Sequence, residues 1–96
     1  MVGIESYEQN ILSEYGIDHD ALYGNAHGRE KSLVTNVRYV YWYILHNERK
    51  ISAGIIASEF HKCRRLVYRG SGVVKCCLAH DKYFMDIYQK IKGTGI

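Results

Sequence analysis

Apolar residues recur at three- and four-residue steps along most of this chain, which is the spacing of an amphipathic helix. The first such series consists of Ile4, Tyr7, Ile11, Leu12 and Tyr15. Gly16 follows as a helix stop, and Asp18 is a suitable N-cap for a brief helix that ends at Gly24. Residues 25–32 are polar and predict a loop.

Residues 33–46 are ambiguous, because LVTNVRYVYWYILH has the β-branched and aromatic content of a strand. The apolar positions nevertheless fill a helical stripe without interruption, at Leu33, Val34, Val37, Val40, Tyr41, Ile44 and Leu45. No second segment of comparable quality is available as a partner strand, and an unpaired strand is not stable alone. The pattern therefore predicts a central helix of about four turns.

Residues 51–77 predict a short helix, a basic loop and the start of another helix. Ser52 is the N-cap candidate of the short helix, and Phe60 is its largest apolar residue. The loop is expected to carry four cations, Lys62, Arg64, Arg65 and Arg69. The last helical stretch begins near Ser71 and continues through Ile91, with Asp81 either capping a separate helix or lying within one long helix.

Length and composition predict one small all-α domain, spanning residues 1–96 and containing about five helices with a helix-turn-helix. The chain has 96 residues, no proline and no apolar run near the roughly 18 residues of a membrane span. The N-terminus lacks the basic flank and apolar stretch of a secretory signal, so a cytoplasmic location without membrane attachment is expected. Three cysteines, two of them adjacent, favour reduced thiols over disulfides.

Charge is distributed very unevenly along the chain. Residues 1–27 hold five acidic side chains and neither lysine nor arginine, whereas residues 28–96 hold 13 basic and 5 acidic side chains, a difference of +8. A basic body behind an acidic N-terminal section favours a polyanionic partner such as nucleic acid. An uneven but merely solvated surface is the alternative.

The predicted helix start at Gly70-Ser71-Gly72 suggests a phosphate-binding site, because small residues leave backbone amides accessible there. Arg69 is then the strongest candidate for contacting a guanine edge, with Lys75 as its helper one turn later. The competing interpretation is an ordinary turn in which Ser71 acts as a cap. The complete set of predicted DNA contacts is Arg29, Lys31, Lys62, Arg64, Arg65, Arg69, Ser71 and Lys75.

Other chemistry is weakly supported. A zinc site needs clustered ligands, and the available residues, His61, Cys63, Cys76, Cys77 and His80, contain no Cys-x2-Cys pair. We instead expect Cys77 in the core and Cys76 as a half-buried thiol, with no metal and no other cofactor. A Cys77–His80 nucleophile pair lacks an orienting acid, so an enzyme is not expected. Tyr41 should be core, while Tyr39, Trp42 and Tyr43 either stack on bases or pack between helices.

The order of these pieces resembles the C-terminal DNA-binding domain of the bacterial replication initiator DnaA, a domain of the Trp-repressor-like class. Tyr15-Gly16-Ile17 and Leu22-Tyr23-Gly24 are similar to its first short helices, and Arg38 with Tyr43-Ile44 to its long helix. Ile51-Ser52, Ile56-Ala57 and Phe60 are similar to its Leu-Ser, Ile-Gly and Phe signature. The resemblance spans roughly residues 11–78 and implies binding of double-stranded DNA.

The departures from that family fall at the predicted recognition helix. The family joins its two motif helices by a tight glycine-rich turn and opens the second with Arg-Asp-His-Thr-Thr-Val, of which only Arg69 and Val74 have counterparts here. The family's Asp, His and Thr contacts therefore do not transfer. A non-enzymatic DNA-binding domain is expected. The alternative is a protein-interaction module on the same helices, with a protein partner or a second copy of the chain.

Overall fold

The structure, a computed structural model, describes residues 4–24 and 31–93. Over these ranges it contains no strand, and the all-α prediction is confirmed. The domain measures 33 × 28 × 28 Å. Its helical elements are α1 (Ile4–Tyr15), α2 (His19–Tyr23), α3 (Lys31–Tyr43) with a π-helical continuation (Ile44–Glu48), α4 (Ala53–Glu59), α5 (Arg64–Cys77) and α6 (Lys82–Lys92).

Local capping chemistry sets most of the helix boundaries. Gly16 follows α1 with a φ of 68°, a left-handed conformation that favours glycine. The Asp18 carboxylate accepts from the Ala21 amide at 2.8 Å, and Ser52 Oγ accepts from the Ile55 amide at 3.2 Å. Asp81 accepts from the Tyr83 amide at 2.9 Å and so caps α6 as a separate helix. These predicted caps are confirmed.

The ambiguous segment 33–46 is helical, as predicted, and forms the centre of the fold. It begins at Lys31, two residues before the predicted start at residue 33, and its last turn widens into the π-helix. Its apolar stripe is buried, with Val34, Val37, Val40, Tyr41 and Ile44 at 0–1% exposure. α3 packs against α5 and α6, α4 packs on α5, and α1 packs on α6.

Phe60, at the end of α4, is enclosed by aromatic rings. The Tyr23 ring stacks on it with centroids 4.1 Å apart, while Tyr41 and Trp42 meet it edge-on at 5.9 and 5.4 Å. Phe60 is 1% exposed. It therefore joins α2, α3 and α4, the anchoring role that its position in the sequence predicts.

Arg38 is a buried cation that fastens α2 to α3. Its Nε donates to the Leu22 carbonyl at 2.8 Å, and its Nη2 donates to the carbonyls of Ala21 and Gly24 at 3.2 and 2.8 Å. Carbonyls at the end of a helix lack intrahelical donors and carry partial negative charge. Burial lowers the pKa of Arg38 below its usual value, yet the guanidinium stays charged and supplies three of the missing bonds.

The start of α5 differs most from the sequence-based expectation. The predicted basic loop up to Arg69 is only a turn of four residues, 60–63, and the helix begins at Arg64 instead of near Ser71. Gly70, Ser71 and Gly72 lie in its interior. Local propensity disfavours glycine there, but packing against α3 outweighs that preference, because Gly70 lies where any side chain would collide with Tyr39.

Three further residues differ from expectation. Leu12 is 47% exposed, although the apolar series of α1 included it. Cys77 is half-buried and Cys76 exposed, so each is more accessible than predicted.

None of the helices described is long and apolar enough to cross a membrane.

Candidate nucleic-acid interface

α5 has two opposite faces, one packed and one basic. Val67, Gly70, Ser71 and Val74 form the buried face. The basic residues of the helix, Arg64, Arg65, Arg69 and Lys75, are all exposed. We call these four side chains together with Tyr68 and Gly72 the basic face. Since α5 contains no aspartate or glutamate, no acidic side chain of the helix offsets this charge.

Ser71 does not belong to this face, and its predicted place at an exposed helix start is wrong. It is 5% exposed and lies on the side of α5 that meets the core. The prediction placed it at a helix start, where a short polar side chain is normally exposed. Because α5 begins seven residues earlier, Ser71 comes after two full turns of helix, in register with the buried Val67 and Val74.

The turn before α5 is tight without containing glycine. His61 has a φ of 56°, a left-handed conformation unusual for a residue with a side chain. Cys63 is the N-cap in extended conformation, with no side-chain cap bond. Arg64 follows, and its aliphatic part lies beside α4: a Cβ built on Gly54 would be 3.4 Å from Arg64 Cδ. The start of α4 thus supports the first cation of the basic face.

Tyr68 is a member of the basic face that the sequence analysis missed. It is 57% exposed, and its ring meets the His46 ring edge-on with centroids 5.5 Å apart. His46 Nδ1 in turn lies 2.9 Å from the Ile51 carbonyl. His46 therefore holds the segment after the π-helix against α5. With the helix start at Arg64 known, the register of Tyr68 beside Arg64, Arg65 and Arg69 would have identified it.

Two further cations, Arg49 and Lys50, immediately precede Ile51, whose carbonyl lies 2.9 Å from His46 Nδ1. Lys50 is exposed and has a φ of 60°. Neither residue was among the predicted contacts.

The remaining predicted contacts fall outside α5 in the sequence. Lys62 lies in the turn, where it is half-buried and interacts with another residue of the protein. Arg29 falls outside the described residues. Lys31 is the first residue of α3. The structure therefore brings together Arg64, Arg65, Arg69 and Lys75, four of the eight residues predicted.

The aromatic residues of α3 pack between helices. Tyr41 and Trp42 are fully buried, so neither ring can stack on a base. Tyr39 lies against Gly70 of α5, and Tyr43 meets Tyr88 with centroids 6.1 Å apart. Burial also raises the pKa of Tyr41, with the nearby Tyr23 and Glu8 adding to the shift. The packing alternative for these aromatic residues is confirmed.

The candidate zinc ligands are not assembled. Among residues 4–24 and 31–93, no three histidine, cysteine or carboxylate side chains come together in an arrangement that could hold a metal ion. Cys63 and Cys76 lie at opposite ends of α5. The three cysteines are free thiols.

Comparisons with protein-family models, with curated proteins and with solved structures found no match to this chain. Its functional interpretation therefore depends on the chemistry of its own residues.

Proposed function

We propose that this chain is a non-enzymatic domain that binds double-stranded DNA by placing the basic face of α5 in the major groove. The observation that carries the proposal is the concentration of Arg64, Arg65, Arg69 and Lys75 on the exposed side of one 14-residue helix without acidic residues. Arginine and lysine neutralise backbone phosphates, and arginine also forms paired hydrogen bonds to guanine.

The connection before α5 supports the same function. A short helix, a turn of four residues and a longer helix are the components of a helix-turn-helix, in which the second helix enters the groove. Within this turn, His61 adopts the left-handed conformation that glycine favours. Because α5 begins at Arg64, Arg69 and Val74 lie inside the helix and do not open it.

Helix α1, which lies in the acidic N-terminal section, does not interfere with DNA binding through the basic face. α1 packs mainly on α6, whereas α5 packs on α3 and α4. The exposed carboxylate of Glu14, on α1, therefore belongs to a different part of the surface from the basic face. This distribution leaves the carboxylate of Glu14 away from the positive charge that α5 presents to a polyanion.

Salt dependence of duplex binding tests the proposal. We expect Arg64→Gln with Lys75→Gln to lower the slope of log affinity against log salt by about 1.8, because each lost phosphate contact removes about 0.9. The matched control is Lys82→Gln with Lys90→Gln, which removes the same charge from α6. Equal slopes in the two double variants would contradict the assignment of the interface to α5.

A protein-interaction module is the alternative function, and one surface favours it. Ile55 of α4 is 58% exposed and lines an apolar groove with Leu45, Ile51 and Glu59. Such a module requires no duplex binding. An absence of any duplex complex near physiological salt, with the chain folded, would favour this alternative.

A further inference from the structure

Gly72 has no structural reason to be glycine. It lies inside α5, and a Cβ built on it would meet nothing within 4 Å. Its φ is outside the left-handed region, since the described glycines with positive φ are Gly16 and Gly93. Glycine is among the least favourable residues in a helix interior. The contrast with Gly70 is direct, because a Cβ there would lie 2.7 Å from Tyr39 Cδ1.

Gly72 also occupies the middle of the basic face. At about 100° per residue, the exposed positions of α5 cover half of the helix circumference, from Arg64 on one edge to Val73 on the other. Gly72 and Arg65 lie near the centre of this arc, opposite the buried Val74. Tyr68 and Arg69 lie one turn earlier in the helix, on either side of Gly72. The most projecting part of the helix surface therefore carries a bare backbone between long side chains.

We propose that Gly72 is the point of closest approach between α5 and a B-form DNA duplex. This inference rests on the proposed function and adds the position that sets the depth of the helix in the groove. An α-helix with side chains is about 10–12 Å wide, close to the major-groove width of about 12 Å. A side chain at position 72 would hold this turn of the helix away from the groove floor, whereas a glycine there lets the helix approach closely enough for Arg65 and Arg69 to reach base edges.

The same geometry selects DNA over double-stranded RNA. The major groove of A-form RNA is deep and narrow and does not admit a helix. A charged surface acting through phosphates alone would bind both duplexes. A helix face with glycine at its centre binds more tightly than a surface acting through phosphates alone only where the helix can enter the groove.

Three variants test this role. Gly72→Ala and Gly72→Leu add increasing bulk at the centre of the arc, and Val73→Leu adds bulk at its edge. Thermal unfolding, affinity for a B-form duplex selected from a random pool, and the salt slope are measured for each, with an A-form RNA duplex as competitor. We expect Gly72→Ala to raise the midpoint of thermal unfolding by about 4–8 °C, because alanine favours the helix.

We further expect Gly72→Ala to weaken duplex binding several-fold and Gly72→Leu at least about tenfold, with the wild-type salt slope retained. Val73→Leu should stay within about twofold of wild type, and the RNA duplex should not compete. Wild-type affinity in Gly72→Leu would refute the role of Gly72 while leaving DNA binding intact. Equal competition by RNA would also refute it. A wild-type chain that binds no duplex would overturn the proposed function and this inference together.

Discussion

Gly70 of α5 and Tyr39 of α3 meet so closely that a Cβ added to Gly70 would lie 2.7 Å from Tyr39 Cδ1. Trp42 closes the other side, with its Cε3 at 3.1 Å from the same position. Trp42 is fully buried and has no room to move. The close packing of α3, at the centre of the fold, against α5, which carries the candidate site, thus depends on the absence of a side chain at Gly70.

Gly70→Ala should therefore destabilise the fold although alanine is the better helix former. Overpacking a core contact costs about 1–3 kcal/mol, and the gain in helix propensity of about 1 kcal/mol offsets only part of that. We expect a net loss of up to about 2 kcal/mol in the free energy of unfolding, measured with urea. Gly72→Ala is the matched control and should gain stability. An increase in both variants would show that Tyr39 yields easily.

Phe60→Ala should cost about 3–5 kcal/mol, since it removes the ring around which Tyr23, Tyr41 and Trp42 are arranged. Ile55→Ala on the same helix is the control, and its change should stay within about 0.5 kcal/mol because Ile55 is mostly exposed. Chemical denaturation measures both. A cost below about 1 kcal/mol for Phe60→Ala would mean that α4 is not anchored by this ring.

Arg38→Met should lower the free energy of unfolding by at least about 1.5–3 kcal/mol, the contribution of a single hydrogen bond from a charged donor. The substitution leaves the carbonyls of Ala21, Leu22 and Gly24 without the guanidinium. Arg38→Lys should recover only part of the loss, since an ammonium cannot reproduce the planar fork. Full recovery by lysine would show that charge alone matters. Urea denaturation followed by circular dichroism makes the comparison.

Arg65 and Arg69 should contribute to base discrimination, whereas Lys75 should act through phosphates. With α5 beginning at Arg64, the arginines lie in the first two turns, the part of a recognition helix that contacts bases. Arg65→Ala and Arg69→Ala should each reduce the preference for a selected over a scrambled duplex by about 1–3 kcal/mol. Lys75→Ala should weaken both complexes equally. An unchanged preference in Arg69→Ala would make Arg69 a phosphate contact.

Glu48 links the π-helical turn to α6 through hydrogen bonds from Tyr88 and Lys92. Burial alone would raise the Glu48 pKa, but these two bonds outweigh it and hold the pKa below the usual 4.5. Hydrogen bonding to Glu48 in turn raises the pKa of Lys92. The stabilisation is therefore present above about pH 4.5 and is lost as the pH falls through the lowered pKa of the folded state.

Glu48→Gln should accordingly flatten the acid side of the pH–stability profile. The difference in urea midpoint between wild type and variant should be largest near neutral pH and should shrink in acid. Asp86→Asn is the control, because it breaks the exposed Asp86–Lys90 pair at 3.2 Å without touching the π-helical turn. A wild-type-to-variant difference that stays constant down to pH values well below 4.5 would contradict the role of the Glu48 carboxylate.

Much of this fold follows from short-range rules. The caps at Asp18, Ser52 and Asp81 need only a side-chain oxygen two or three residues before an amide. The helical periodicity of residues 33–46 identified the central helix despite its β-branched content, because a stripe of that length has to be buried on one side. Phe60 was the evident apolar anchor of its short helix for the same reason. Each of these features depends on neighbours along the chain.

Contacts distant in sequence decided the remainder. Gly70-Ser71-Gly72 is a helix breaker by local propensity, yet it lies within α5 because Gly70 fits against Tyr39 and Trp42. That contact moved Ser71 into the interior, placed Arg64 and Arg65 on the helix and brought Tyr68 to the exposed side. A glycine costs a helix about 1 kcal/mol, and close packing against two aromatic residues stabilises more than that. The glycine and the two aromatic side chains whose packing offsets its cost come into contact only in the folded chain.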